Sequence, residues 1–284
     1  MPKLAVLGQP ISHSRSPAMH TAALEAMGLA VEWSYGAIEI SPEGFEARVR
    51  TMAGEGFAGA NVTVPHKVAA LAIGTEATPA AAQIGAANTL SFRGDGIAAD
   101  NTDAAGVIES LPESPDGKRA LVLGAGGSAR AAIWALREAG AEVSVWNRTG
   151  EKALRLAHEL AATAISIGDS EFLPVQDFDL VLNATTVGLA AANAPGFGLG
   201  AGPDRGAPDL KALRVPADAL NENQVVVDLV YGTAQTQLAA AAQAAGARVV
   251  DGLDVLVHQG AASLRIWTGM EPPIEIMRRA ARER

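Results

Sequence analysis

Short apolar runs alternate along the chain with stretches whose apolar residues recur at helical spacing. In the first hundred residues the runs at 4–7, 31–40 and 60–64 read as strands, and 88–92 with 97–99 as a hairpin around Arg93-Gly-Asp-Gly96. Helices are predicted between them over 17–27, 42–55 and 65–72. Each opens on a proline, which is favoured at a first helical position because its missing N–H would be unpaired there anyway. Further strands are predicted at 120–123, 142–146, 164–167, 179–183, 225–229 and 248–250. Six strands separated by helical sequence point to a doubly wound parallel sheet. From 189 to 221 the chain is rich in Gly, Pro, Ala and Asp, which predicts a long surface loop with a short helix near 209–213. The segment 253–268 carries one apolar stripe, Leu253, Leu256, Val257, Gly260, Ala261 and Leu264. Gln259 sits about 60° off its edge, free to line a cleft while the stripe packs.

The strand series restarts after 103, so the pattern divides the chain at 1–103 and 104–253, both α/β. A length of 284 residues agrees, being more than one ordinary core needs. No apolar run approaches a bilayer span, and the N-terminus is interrupted too soon for a signal peptide, so a cytoplasmic protein without a membrane partner is expected. The net charge of -9 argues against nucleic acid, which needs a basic surface to release counterions. With no cysteine there is neither disulfide nor thiolate chemistry. The five histidines, at 13, 20, 66, 158 and 258, show no paired metal spacing, so no metal is expected.

Chemistry enters most clearly at Leu121-Val-Leu-Gly-Ala-Gly-Gly-Ser-Ala-Arg130, a strand, a glycine-dense turn and a helix start. Gly124 permits a sharp exit from the strand, Gly126 admits a pyrophosphate close to backbone, and Ala129 takes the small position where helix and strand pack. Ala125, Gly127 and Ser128 complete the turn, and the helix N-terminus adds N–H groups and a positive dipole end. The tip of the next strand lies 23 residues beyond Gly124. An NAD site would carry an acid there; Asn147, Arg148 and Thr149 offer a cation and polar groups instead, with Lys152 one turn on. That suits the 2′-phosphate of NADP.

Three polar groupings lie outside this unit. In His13-Ser-Arg-Ser-Pro17, Ser14 and Ser16 place two hydroxyls on one turn, suited to a carboxylate or polyol; Ser16 also reads as a helix N-cap, whereas Ser14 has no evident structural task. Lys67, in Asn61-Val-Thr-Val-Pro-His-Lys67, falls in the first turn of a helix, where the dipole disfavours a cation and so favours a lysine that gives up a proton. Asp103, just before Ala104-Ala105-Gly106, either caps a helix or pairs with Lys67.

Together these stretches resemble the shikimate dehydrogenase family. The likeness runs through His13-Ser-x-Ser-Pro17, Asn61-Val-Thr-x-Pro-x-Lys67, Ala87-Asn-Thr-Leu90, Asn101-Thr-Asp103, Gly124-Ala-Gly-Gly127 with Arg130, Asn147-Arg-Thr149, Asn183-Ala-Thr185, Asp228-Leu-Val-Tyr231 and Gln259. It implies an N-terminal α/β substrate domain, completed by C-terminal helices over 254–284, and a Rossmann NADP domain, with the active site between them. It implies that Ser14, Ser16, Thr63, Asn88, Asp103 and Gln259 hold a carboxylate and hydroxyls, with Tyr231 near them and Lys67 with Asp103 moving the proton. Asn183, Ala184, Thr185 and Gly252 would join the cofactor site. The activity implied is NADPH-dependent reduction of 3-dehydroshikimate by a monomer or homodimer. Quinate or aminoshikimate dehydrogenases and a non-catalytic NADP-sensing paralogue remain alternatives. Two positions depart from the family's usual pattern: Thr233 stands where a proline is common and Val255 where a methionine is.

Overall fold

The computed structural model describes the chain except for Asp95, Asp169, 193–207, Thr233, Arg284 and the side chains of Ala190 and Ala191. It resolves into two compact units, Met1–Glu109 with Leu256–Arg284, and Ser110–Val255. Among the described residues no helix is long and apolar enough to cross a membrane.

The first unit runs β1 (Lys3–Gly8), α1 (Ser16–Ala26), β2 (Ser34–Glu39), α2 (Pro42–Met52, continued by a 3₁₀ turn), β3 (Phe57–Val62), α3 (Lys67–Ile73), β4 (Glu76–Ala77), α4 (Pro79–Ile84), β5 (Thr89–Arg93), β6 (Gly96–Asp100) and α5 (Asp103–Ser110). Its sheet has the order β2-β1-β3-β5-β6-β4. β1 lies parallel to both neighbours, and β5 antiparallel to β3 and β6. A central parallel strand is covered on both faces, which is why Leu4 to Leu7 are all apolar and all buried. Phe45, Val49 and Met52 share one face of α2 and pack on that sheet with Leu7 and Leu90. Burying each large side chain is worth roughly 1.5–3 kcal/mol.

The second unit runs β7 (Arg119–Leu123), α6 (Gly127–Glu138), β8 (Glu142–Trp146), α7 (Gly150–Glu159), β9 (Thr163–Ala164), β10 (Leu180–Asn183), α8 (Leu189–Ala192), α9 (Pro208–Leu213), β11 (Val225–Asp228), α10 (Gln237–Ala244) and β12 (Arg248–Asp251). The strand order is β12-β11-β10-β7-β8-β9, parallel throughout. This is the doubly wound order, and it reverses between β7 and β10, where such sheets bind ligands. The chain closes with α11 (Gly252–Thr268) and α12 (Ile274–Arg282). From Leu256 onward these helices belong to the first unit, where α12 packs on α1. Trp267 donates from Nε1 to the Leu90 carbonyl at 3.1 Å. A Cβ on Gly59 would lie 2.1 Å from that nitrogen, so only glycine lets the indole settle over β3.

The α/β class and parallel sheet agree with the sequence pattern, while several boundaries move. β2 starts at Ser34 rather than 31, because Glu32 and Trp33 donate back to the Leu29 carbonyl in a turn. β3 ends at Val62, and Pro65 does not open a helix: His66 N–H closes a reverse turn onto the Thr63 carbonyl, which takes up Val64 and Pro65, so α3 begins at Lys67. β9 is two residues long, although Ile165 adds one further hydrogen bond to Val145. α9 occupies 208–213, as the pattern near 209–213 predicts, but most of the loop expected around it lies outside the described residues. α9 ends unusually. Val215 N–H bonds the Leu210 carbonyl and Arg214 N–H that of Lys211, a Schellman cap, yet the left-handed position at φ 57° is filled by Arg214 where glycine is usual.

Candidate active site

The turn that ends β3 delivers Lys67 to the start of α3, and the chain leaving β6 delivers Asp103 to the start of α5. The two meet with Lys67 Nζ 2.6 Å from Asp103 Oδ2, their side chains 10% and 14% exposed. Asp103 is not the cap that one reading expected. Asn101 accepts from the Ala104 N–H, and this leaves the Asp103 carboxylate to lysine and to Asn88, which donates to Oδ1 at 2.9 Å. Removal from water strengthens such a pair, and its residual exposure leaves one side open to a ligand.

Asn88 anchors a buried polar network. Its amide nitrogen also reaches Thr102 Oγ1 at 3.0 Å and Gln259 Oε1 at 2.9 Å, while its oxygen accepts from Thr102 N–H at 2.7 Å. Ser263, one turn after Gln259 on α11, meets Asn61 Nδ2 at 2.8 Å, Thr89 Oγ1 at 2.9 Å and Thr102 Oγ1 at 3.0 Å. Tyr35 donates its hydroxyl to Asn61 Oδ1. Gln259 is thus 7% exposed and enters the network, whereas its spacing placed it beside the packed stripe. A buried network with its members paired fixes side-chain positions closely, since an unpaired member is costly. His20 adds one such group: stacked on Tyr35, it donates from Nδ1 to the Ser16 carbonyl, and its Nε2 makes no hydrogen bond among the described residues. Burial pushes its imidazole down to about 4, so it is neutral.

Ser14, half-buried, and Ser16, buried, lie at the entry to α1, and Thr63 follows β3. Ser16 is the first residue of α1 and makes no cap. Ser14 does have a structural contact, since its hydroxyl accepts from the Ser16 N–H at 3.3 Å. Both serine readings from the sequence are corrected here, because the helix starts one residue earlier than Pro17 implied.

In the second unit Gly124 has φ 115°, which other residues rarely adopt, and a Cβ would lie 3.0 Å from the Ala184 carbonyl. A Cβ on Gly126 would meet nothing within 4 Å among the described residues. Protein packing therefore does not demand that glycine, and the space beside it, at the uncapped N-terminus of the 12-residue α6, fits a pyrophosphate. Arg130, one turn on, pairs with Glu159. Asn183 bonds Asp228 at 2.9 Å and accepts from the Thr185 N–H and hydroxyl, tying the loop through Ala184 to β11. Asp228 also accepts from Thr236 at 2.5 Å and from Val230 N–H at 3.1 Å. Burial nevertheless pushes its carboxyl up to about 6 against those bonds. Tyr231 follows β11 and is half-buried, Gly252 opens α11, Val255 is buried, and Thr233 lies outside the described residues.

Asn147 and Arg148 leave β8 beside a cavity of about 310 Å³, lined also by Gly150, Leu154, Ile165, Ile167 and Arg214. Thr149 and Lys152 are exposed in the same turn without lining that cavity. The residues that sequence reasoning passed over are Asn61, Thr102 and Ser263. A signal existed for each: Asn61 is two residues from Thr63 on one strand face, Thr102 is next to Asp103, and Ser263 is one turn from Gln259. Arg214 gave none.

Comparison with known proteins fits this geometry. Residues 6–90 match the shikimate dehydrogenase substrate binding domain, 107–194 the shikimate/quinate 5-dehydrogenase model, and 252–282 the shikimate 5′-dehydrogenase C-terminal domain. Shikimate dehydrogenase (NADP(+)) of Thermus thermophilus is 41% identical over 99% of this chain and 98% of its own. That of Methanocella arvoryzae is 39% identical over 98% and 97%. The crystal structure of the Thermus thermophilus shikimate 5-dehydrogenase in complex with NADP(H) and shikimate matches with a TM-score of 0.82 at 40% identity, over 99% of both chains. The chain belongs to the shikimate dehydrogenase family.

Proposed function

We propose that the chain catalyses the NADPH-dependent, reversible reduction of 3-dehydroshikimate to shikimate. The observation that carries the reading is the Lys67–Asp103 pair at 2.6 Å, oriented by Asn88 and largely buried, with a small exposed remainder on each side chain. When bound, the cofactor supplies the hydride at nicotinamide C4. The protein's own part is then to place the ketone and to settle the charge on its oxygen. Lys67, with three N–H donors and a carboxylate to fix its direction, gives a proton to the forming alkoxide and takes it back in reverse. Asp103 accepts from the reacting hydroxyl and holds the lysine. Ser14 and Ser16 bind the substrate carboxylate, and Thr63, Asn88 and Gln259 its hydroxyls, with Tyr231 completing the set.

The first unit is the substrate unit and the second the cofactor unit on this reading. Gly124 to Ala129 cradle the pyrophosphate, Asn147, Arg148, Thr149 and Lys152 grip the adenosine 2′-phosphate, and Asn183, Ala184, Thr185 and Gly252 complete the site. Oxidation of NADPH with 3-dehydroshikimate and with 3-dehydroquinate, measured side by side, is the test. A clear excess in kcat/KM for the first is expected. Equal or greater activity on the second would make this a quinate-type enzyme, and NADPH binding without turnover of either would make it a non-catalytic sensor.

A further inference from the structure

We infer that Arg214 is a second cation for the adenosine 2′-phosphate and that it sets the preference for NADP over NAD jointly with Arg148. The inference rests on the cofactor reading above and extends it to a residue far from the β8 turn in sequence. Arg148 and Arg214 line the same cavity of about 310 Å³. Its described lining holds no acid, and neither arginine makes an ion pair among the described residues. Two guanidinium groups around one open space repel each other until an anion joins them. The remainder of the lining suits what would be attached to such an anion: Leu154, Ile165 and Ile167 present apolar surface to a purine. Leu154 is 63% exposed, a large apolar side chain left in water beside this cavity.

The backbone carries a second, independent observation. Arg214 occupies the left-handed position of the cap that ends α9, at φ 57°, where glycine would be relaxed and a Cβ is strained. Strain of this kind collects where a side chain has a task, and the inference runs from the observed outlier to the task. Its Nη1 donates to the Glu171 carbonyl at 3.2 Å, and its main chain is tied to Leu173 at 2.8 Å. The guanidinium is thereby held at the cavity with further N–H donors to spare. A planar fork fixed at one nitrogen is well suited to bidentate contact with phosphate oxygens.

The test is calorimetric titration of adenosine 2′,5′-bisphosphate and of 5′-AMP into wild type, Arg214→Gln and Arg214→Gly, with thermal melting of each. The glycine variant removes the guanidinium while relaxing the strained backbone, so a loss of affinity there cannot be laid to misfolding. Both variants should bind the bisphosphate about 10- to 100-fold more weakly, the range of one lost charge-assisted contact, with 5′-AMP affinity held within about twofold. If wild type prefers the bisphosphate and Arg214→Gly keeps that preference, or if both probes weaken equally, Arg214 is not a phosphate ligand. If wild type itself does not prefer the bisphosphate, the NADP reading falls and takes this inference with it.

Discussion

Lys67 carries the proposed chemistry, and its surroundings say how its loss should look. The ammonium touches Asp103 and stands at a helix start, so it contributes through the charge that develops on the substrate oxygen more than through ground-state grip. Lys67→Met should lower kcat by about 100- to 10,000-fold with a much smaller change in KM. Retention of wild-type turnover in steady-state assays would place the proton donor elsewhere. Ser14 is a different case because its hydroxyl, which we propose binds the substrate carboxylate, also accepts from the Ser16 N–H. Ser14→Ala should therefore raise KM and also cost up to about 1 kcal/mol of stability, as one modest hydrogen bond does. A raised KM with an unchanged melting temperature would mean that the backbone contact contributes nothing.

At the scale of elements, α11 matters most to the substrate unit, since Gln259 and Ser263 on one face join three other segments. Ser263 is fully buried and meets Asn61, Thr89 and Thr102. Ser263→Ala leaves those buried groups short of a partner, which should cost roughly 1–3 kcal/mol by urea unfolding. It should also raise KM, because Asn88 and Gln259 lose their support through Thr102. A variant as stable as wild type would show that the three partners satisfy one another. The helix itself was legible in the sequence, as were the parallel strands and the glycine turn, because each is written in neighbouring residues. What was not legible is long-range: Ser263 lies 202 residues from Asn61, and Arg214 reaches the Arg148 cavity from the end of another crossover. The boundary errors at Pro65 and Ser16 came from a real preference of proline for helix starts, overridden in one case by a reverse turn and in the other by an extra residue of helix.

For the whole molecule, the two units should answer acid in opposite senses. In the first unit His20 is held at about 4 against an ordinary value of 6.5. Between those values the unfolded chain takes up a proton that the native unit refuses, so stability is full above 6.5 and falls as the pH drops towards 4. In the second unit Asp228 is raised from 3.8 to about 6. There the native unit holds a proton that the unfolded chain releases, so this contribution is fully present below 3.8 and is lost as the pH rises through 6. At ~1.36 kcal/mol per pKa unit each effect approaches about 3 kcal/mol. The tryptophans divide evenly for the measurement, Trp33 and Trp267 in the first unit and Trp134 and Trp146 in the second. Urea unfolding followed at single-tryptophan variants from pH 7 to 4.5 should show the first unit's midpoint falling. The second unit's should fall less or rise. Replacing His20 by Asn should flatten the first trend, and Asp228→Asn the second, each without touching the other. Parallel pH trends at both reporters that survive both substitutions would show that neither buried group governs the acid response, and that the surface carboxylates common to both units do.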